Sequence, residues 1–383
     1  MSDIRFEGWL HRSGTGGVYQ DSAGNVGIAS TQPKTNLDIG NGAFQVGPAG
    51  ICTVTTVKST NIVNSQQLTH RNFLFNSSYQ VAQRGTSNST INEYVVDRWR
   101  TFGGPSGFTI SRIDDATYAD SGKALRMHRT NGNSQTNNHG FGQGIETLNS
   151  LRLAGQSVIL SFKAKRGADF SGSGNTINCS INAGEGTDEN PFGMTSTNSS
   201  SQSFTLLETD TSHTLTFDIP SDKTQVTVLF NYTPTGTAGT NDWFEIADCQ
   251  LEWGTAASPF EHVPYGEELA RCQRYYYVHA DGDNKVIGAS VGYQANDIFL
   301  MIYPKVTMRA TPSLVQETGT NYYRAYNNGG YDMFDSWAST WNTHENMFCL
   351  NANASQGLSS NGGQPQMVIT SQPGAYVAFN AEL

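Results

Sequence analysis

Residues 225–232 read QVTVLFNY, and Val226, Val228 and Phe230 fall at every second position. A period of two puts those side chains on one side of an extended chain, so the run can bury only as a strand with one face covered. The same pattern recurs in FTISRI, ALRMHRT, SVILSFKAKR, TINCSINAG, HTLTFDI and WFEIADCQLEW. Long loops of Ser, Thr, Gly and Asn separate these runs, among them residues 195–203. Many short antiparallel strands with one apolar face predict a β-sandwich, and specifically a jelly roll, over residues 69–265. Composition agrees. Charged residues are 15% of the 383-residue chain, and aromatics are 11%. Disordered chains are poor in aromatics, so that class is excluded.

The flanking segments read differently. Residues 1–68 alternate very short β runs (Val26 and Ile28; Leu37 and Ile39; Phe44 and Val46) with Gly-Asn, Gln-Pro and Asn-Gly turns. Such strands are too short to bury a core alone. They are expected to intertwine or to dock on a partner, as an attachment segment and connector. After the jelly roll, Pro259 and Pro264 fix φ and stop further pairing. A helix is expected over 266–277, because Leu269, Cys272 and Tyr276 stand at i, i+3 and i+7. GIETLNSLRL has room for a short helical turn. Strands resume in NKVIGASVGY, DIFLMIYP, SLVQETG, MVIT and AYVAFNAEL, so residues 278–383 are expected to form a second, smaller β-sandwich. The expected fold class is all-β: an attachment segment, a jelly roll, a short helix and a C-terminal sandwich.

Charge and cysteine usage remove several functions. A net charge of −10 with no basic run argues against nucleic acid as a partner. The cysteines, Cys52, Cys179, Cys249, Cys272 and Cys349, are odd in number and contain no CxxC pair. They predict buried thiols made in a reducing cytosol, not a zinc site or a disulfide framework. MSDIRFEGWL has no apolar core of a signal peptide, and no apolar run is long enough for membrane insertion. Synthesis in the cytoplasm and release by lysis, inside a virus particle, fits those readings. No cofactor and no metal is expected.

The candidate binding residues lie in YYRAYNNGGYDMFDSWASTWNTHENMF. Tyr322, Tyr323, Tyr326, Tyr331, Trp337 and Trp341 crowd there among Asn, Asp and Gly without evident alternation. Rings in polar loops suit sugars, whose apolar faces stack while amides bond their hydroxyls. The competing reading is subunit packing. Trp99 is expected in a core or seam with Asp97 and Arg98 as a structural pair, and Trp243 and Trp253 are read the same way. The acidic groups Asp114/Asp115, Glu185/Asp188/Glu189 and Glu267/Glu268 lie in turns or on a helix surface, so they read as solvated charge and not as a glycosidase pair. DGDN at 281–284 lacks the later glutamate of a calcium loop and reads as a turn. GFGQGI at 140–145 lacks the helix and GKS/GKT ending of a phosphate loop. The eight His form no HExxH motif.

FLFNSSYQVAQRGTS with YVVDRWR, then QLEWGTAASPFEHVPYGEELARCQRYYY with IYPKVTMRATPSL, resembles a recurring module of bacteriophage tail-fibre proteins over about 71–315. GNVGIASTQPKTNLDI is similar to turn units of phage fibre and adhesin stalks. The resemblance implies a jelly-roll domain like a carbohydrate-binding module, a homotrimeric fibre and a place in the virion tail. Adhesion to host surface polysaccharide is expected, with the N-terminal segment joined to other virion proteins; no enzyme activity is expected, because no positioned acid–base pair can be recognised. In such a trimer, residues 275–277 would pack near the axis. A head fibre or tail adaptor is the second reading. A polysaccharide depolymerase is the third, and no β-helix period accompanies it.

Overall fold

A computed structural model describes residues 8–10, 17–28, 37–39, 44–46, 52–54, 69–104, 107–338, 342–359 and 366–383. The chain forms two compact units, Met1–Gln67 and Leu68–Leu383. Nearly all regular structure in both is strand.

The first unit contains a six-stranded sheet whose spatial order follows the chain: Gly8–Leu10, Gly17–Gln20, Val26–Ile28, Leu37–Ile39, Phe44–Val46 and Cys52–Val54. Among the described residues of this unit, only Val26–Ile28 and Leu37–Ile39 pair in parallel. The short β runs expected there are present. Asp21 turns the hairpin before Val26 by accepting the N–H groups of Ala23 and Asn25.

The second unit begins with the jelly roll. One sheet runs Thr211–Asp218, Ser157–Arg166, Trp243–Trp253, Lys123–Arg129, Phe108–Asp114 and Ser87–Asn88. The other runs Ser196–Thr205, Thr176–Gly184, Gln225–Tyr232, His139–Ile145 and Arg100–Gly103. All pairings are antiparallel. Two connections stay within a sheet: Phe108–Asp114 to Lys123–Arg129, and Thr176–Gly184 to Ser196–Thr205. The others cross from sheet to sheet, as a jelly roll requires. Between the layers lies one apolar core, with Trp99, Phe141, Phe162, Phe230 and Phe244 fully buried. GFGQGI is one of its strands, not a ligand loop. A Cβ at Gly140 would stand 2.2 Å from the Phe230 carbonyl oxygen, so only glycine permits that approach. The short helical turn after it is Thr147–Ser150.

The linker helix spans Tyr265–Gln273. Tyr276 was expected to extend it but opens the next strand, Tyr276–Asp281. The second sandwich pairs Tyr276–Asp281, Tyr376–Asn380 and Ser313–Gln316 against a sheet ordered Gly330–Phe334, Tyr323–Asn327, Gln366–Thr370, Val286–Gln294, Asp297–Ile302 and Phe348–Asn353. Its own core holds Tyr277, Tyr323, Phe334, Trp337, Phe348 and Phe379. Among the described residues no helix is long and apolar enough to cross a membrane. Cys179, Cys249 and Cys272 are buried free thiols, and Cys349 is half-buried and free. The Cys52 side chain lies outside the described residues.

Candidate functional site

The two ends of the tail-fibre-like motif meet where the sandwiches join. Asn76, in the left-handed region at φ 52°, donates from Nδ2 to the carbonyls of Val81 and Asp97 at 2.7 and 2.9 Å. Its Oδ1 accepts from Val81 N–H, and its own N–H bonds the Glu268 carboxylate of the helix at 2.7 Å. Trp99 donates Nε1–H to the Asn76 carbonyl at 3.0 Å and is wholly buried, as expected for a core tryptophan. Trp243 is half-buried beneath the Arg126 guanidinium, at 4.1 Å. Trp253 differs from its expected core place. It is 38% exposed and packs edge-on against Phe73 at 5.1 Å.

Asp97 and Arg98 do not pair with each other. Successive side chains diverge, and each finds its own partner. Asp97 accepts from Gln83 N–H and Nε2–H, both at 2.7 Å, and burial pushes its carboxyl above the usual range against those bonds and Arg84. Arg98 pairs with Glu382, donates to the Gly144 carbonyl at 2.7 Å, and lies over the Tyr275 ring at 3.6 Å. Arg84 reaches the same Glu382 at 3.1 Å and covers the Tyr276 ring at 3.5 Å. Tyr275, Tyr276 and Tyr277 are therefore buried against groups of their own chain. Rings and cations are the reason: each tyrosine face has an intrachain partner in Arg84, Arg98 or Phe379.

Above this network the joint opens into a cleft of about 630 Å³. Gln83, Arg84, Asn88 and Tyr94 form its jelly-roll wall, and Tyr276, Val315, Tyr376 and Asn380 form the opposite wall. Glu93, Asp281 and Glu317 stand exposed on its rim. The Tyr276 and Tyr376 hydroxyls bond each other at 2.9 Å. Burial raises both phenols, as it does Tyr94, so all three remain neutral hydrogen-bonding groups. The cleft thus offers ring edges and faces, amides and hydroxyls. Its one cation already has Glu382 as a partner.

The five candidate aromatics among the described residues are not brought together as one surface. Tyr323 is fully buried and Trp337 is 3% exposed, so neither can stack on a ligand as placed. Tyr323 faces inward because YRAYN is an alternating strand, with Ala325 beside it in the core. Trp337 packs edge-on against Phe334 at 5.0 Å. Tyr322 is half-buried against the same core. Tyr326 and Tyr331 are cross-strand partners, 6.2 Å apart, on an outer hairpin with Arg324 beside them. Trp341 lies outside the described residues. The sequence reading missed Arg84, Tyr94, Tyr276 and Tyr376. The signal for three of them was present, since Arg84 belongs to the Gln-Arg-Gly, Tyr94 opens YVVDRWR and Tyr276 belongs to the Arg-Tyr-Tyr-Tyr of the paired motif ends.

No family model matches the chain, and no curated protein matches it. Solved structures that it is similar to include the enzymatically active domain of bacteriophage CBA120 tailspike protein 4. There the identity is 15% and the TM-score 0.32, over 48% of this chain and 21% of the tailspike chain. A putative sugar-binding protein from Bacteroides thetaiotaomicron is 14% identical at TM-score 0.31, over 48% of this chain and 100% of its own. A xylan-binding domain from Paenibacillus barcinonensis is 12% identical at TM-score 0.30, over 49% and 96%. The chain spans about a fifth of the tailspike structure.

Proposed function

We propose that this chain is a virion adhesin of the tail-fibre kind, which holds a neutral glycan of the host surface in the cleft between its two sandwiches. The cleft carries this reading: Tyr94 and Tyr376 present rings, and Gln83, Asn88 and Asn380 present amides, in a space of about 630 Å³. That size falls within the range of roughly 300–1,000 Å³ usual for ligand pockets. Rings bury the apolar face of a sugar, while fixed amides bond its hydroxyls. The tail-fibre-like sequence motifs supply the biological setting, because their two ends build this cleft. We read the function as binding without cleavage. The rim carboxylates of Glu93, Asp281 and Glu317 are exposed, whereas a glycosidase acid needs a desolvated site. We also read the working form as a homotrimer joined to other virion proteins through the N-terminal unit. Val18 and Ile28, 39% and 40% exposed, mark apolar surface there.

The test uses the full chain on an array of neutral and acidic oligosaccharides, with light scattering for mass. Neutral ligands should bind. Tyr94→Ala and Asn88→Ala should each weaken them about tenfold, the scale of one lost stacking or hydrogen-bonding contact of about 1.4 kcal/mol. A monomer at micromolar concentration would sink the trimer. Release of reducing ends, abolished by Glu93→Gln or Glu317→Gln, would replace adhesion with hydrolysis.

A further inference from the structure

The six-stranded sheet of the second sandwich is apolar on both of its faces. A strand with one face in water alternates apolar and polar residues, whereas a strand covered on both faces reads as a continuous apolar run. Ile298, Phe299, Leu300, Met301, Ile302 and Tyr303 form such a run. Ile298, Leu300 and Ile302 enter the core. Met301 points away from it, and Tyr303 stands open just past the strand. The neighbouring strand, Val286–Gln294, repeats the pattern: Ile287 enters the core, while Val286, Val291 and Tyr293 are exposed. On the other side of that strand, Met367 lies opposite Ala289 on the same outer face. From residue 286 to residue 303 the only charge in the sequence is Asp297. The jelly roll treats its outer face otherwise. There Lys163 and Lys165 alternate with the core residues Phe162 and Ala164, as a face left in water requires.

Val286, Val291, Tyr293, Met301, Tyr303 and Met367 are between 47% and 69% exposed. Together they leave on the order of 700 Å² open, more than the roughly 300–600 Å² of the largest patch on a typical monomer and close to the roughly 800 Å² that one partner of a stable complex buries. Tyrosine and methionine are enriched in the cores of interfaces, and charged residues are depleted there. A sugar fits this face less well, because it needs amides or hydroxyls to fix it. Asn351, opposite Phe299 on the adjoining strand, already donates to Asp297 and to the Ile298 carbonyl. The uncharged surface ends at Arg324, whose strand borders that of Met367, so the hairpin bearing Tyr331 lies outside it. We propose that this face is a contact between copies of the chain, each copy burying it against its neighbours. The contact rests on the reading of the working form as a homotrimer, and gives that form an interface in the second unit, separate from the N-terminal one.

Oxidative footprinting of the purified full chain provides the test, with hydroxyl radicals as the probe, mass spectrometry to read each side chain and light scattering for mass. Methionine is converted to its sulfoxide where the probe can reach it. The reference is the double variant Val291→Glu with Tyr303→Glu, which puts two charges on exposed positions of the face and leaves both methionines in place. It should fall to the mass of one chain, and its Met301 and Met367 should oxidise several-fold faster than in the native oligomer. Tyr331 should oxidise equally in both. Val291→Thr with Tyr303→Ser, which suits a strand better, gives the same comparison should the charged pair melt the fold. A native chain that is monomeric overturns the contact and the homotrimer together. A native oligomer in which Met301 and Met367 oxidise as fast as in the variants overturns the contact alone, and leaves the face to a different partner. Variants that keep the mass of the native oligomer overturn it as well.

Discussion

His139 shows how much one buried side chain can fix. Its ring stacks on Phe108 with centroids 3.2 Å apart, and Nδ1 lies 2.6 Å from the Asn137 carbonyl. That contact makes Nδ1 the protonated nitrogen, and leaves Nε2 buried with no hydrogen-bond partner. Desolvation of the buried ring opposes a second proton, against the Asn137 and Gly104 carbonyls that favour it. Burial accordingly lowers the pKa of His139, as it does for His213 and His279. The unfolded chain takes up protons near the ordinary value of 6.5, before the folded chain does. The contribution of these histidines is therefore complete above pH 6.5 and drains away as pH falls toward their depressed folded values. Asp97 and Glu268, both raised by burial, act with the opposite sign in the window above 3.8 and 4.5. The melting temperature should fall between pH 7.5 and 5.5, and His139→Phe, which keeps the stack, should make that fall shallower. An equal slope in the variant would show that His139 does not titrate in unfolding.

The hairpin of Tyr323–Asn327 and Gly330–Phe334 shows what was and was not legible in the sequence. Seven of the jelly-roll strands could be read because their alternation runs over a long stretch, as in Gln225–Tyr232. Ser196–Thr205, expected as a loop over 195–203, is instead a strand whose nearly all-exposed Ser, Thr and Asn residues show no apolar period. In the hairpin each strand has five residues, and Asn327, Asn328, Gly329 and Gly330 make the segment look like one polar loop. Asn-Gly between alternating runs is nonetheless a hairpin signal, and Gly329 takes φ 86° in the turn. With the hairpin in place, Tyr323, Phe334 and Trp337 go inward, and Tyr331 goes outward at 58% exposure. The seam was less legible for another reason. Its partners, Arg98 and Glu382, stand 284 residues apart, and no local pattern links them. The hairpin's geometry sets opposite outcomes for two aromatic substitutions. Trp337→Ala should cost about 3–5 kcal/mol in urea unfolding, from the cavity left in the second core. Tyr331→Ala, on the outer face, should cost less than about 1 kcal/mol. Similar losses for both would mean that the outer face is covered in the working assembly.

At the scale of the whole second unit, the two sandwiches are joined by charge and not by a shared apolar core. Glu382 takes both Arg84 and Arg98. Arg309 donates to the Ala381 and Glu382 carbonyls at 2.8 and 3.0 Å and pairs with Asp188 of the jelly roll at 2.8 Å. Arg274 and Tyr275 both reach Glu146, at 2.6 and 2.7 Å. Such a network holds one geometry well, because each buried charge is costly without its partner. The cleft above it is then pre-organised, which spares a ligand the cost of ordering its walls. Glu382 does not line the cleft, but Arg84 does. Glu382→Ala would leave Arg98, 2% exposed, without its carboxylate, and would release Arg84 from its place over Tyr276. Breaking a buried pair on one side costs about 3–5 kcal/mol. Glu382→Ala should therefore lower the melting temperature and also weaken neutral-glycan binding about tenfold, though the residue touches no ligand. Calorimetry should show one transition for the two sandwiches in the native chain and two in the variant. Full glycan affinity in a variant that melts in two steps would separate the cleft from the joint, and place the ligand on one sandwich alone.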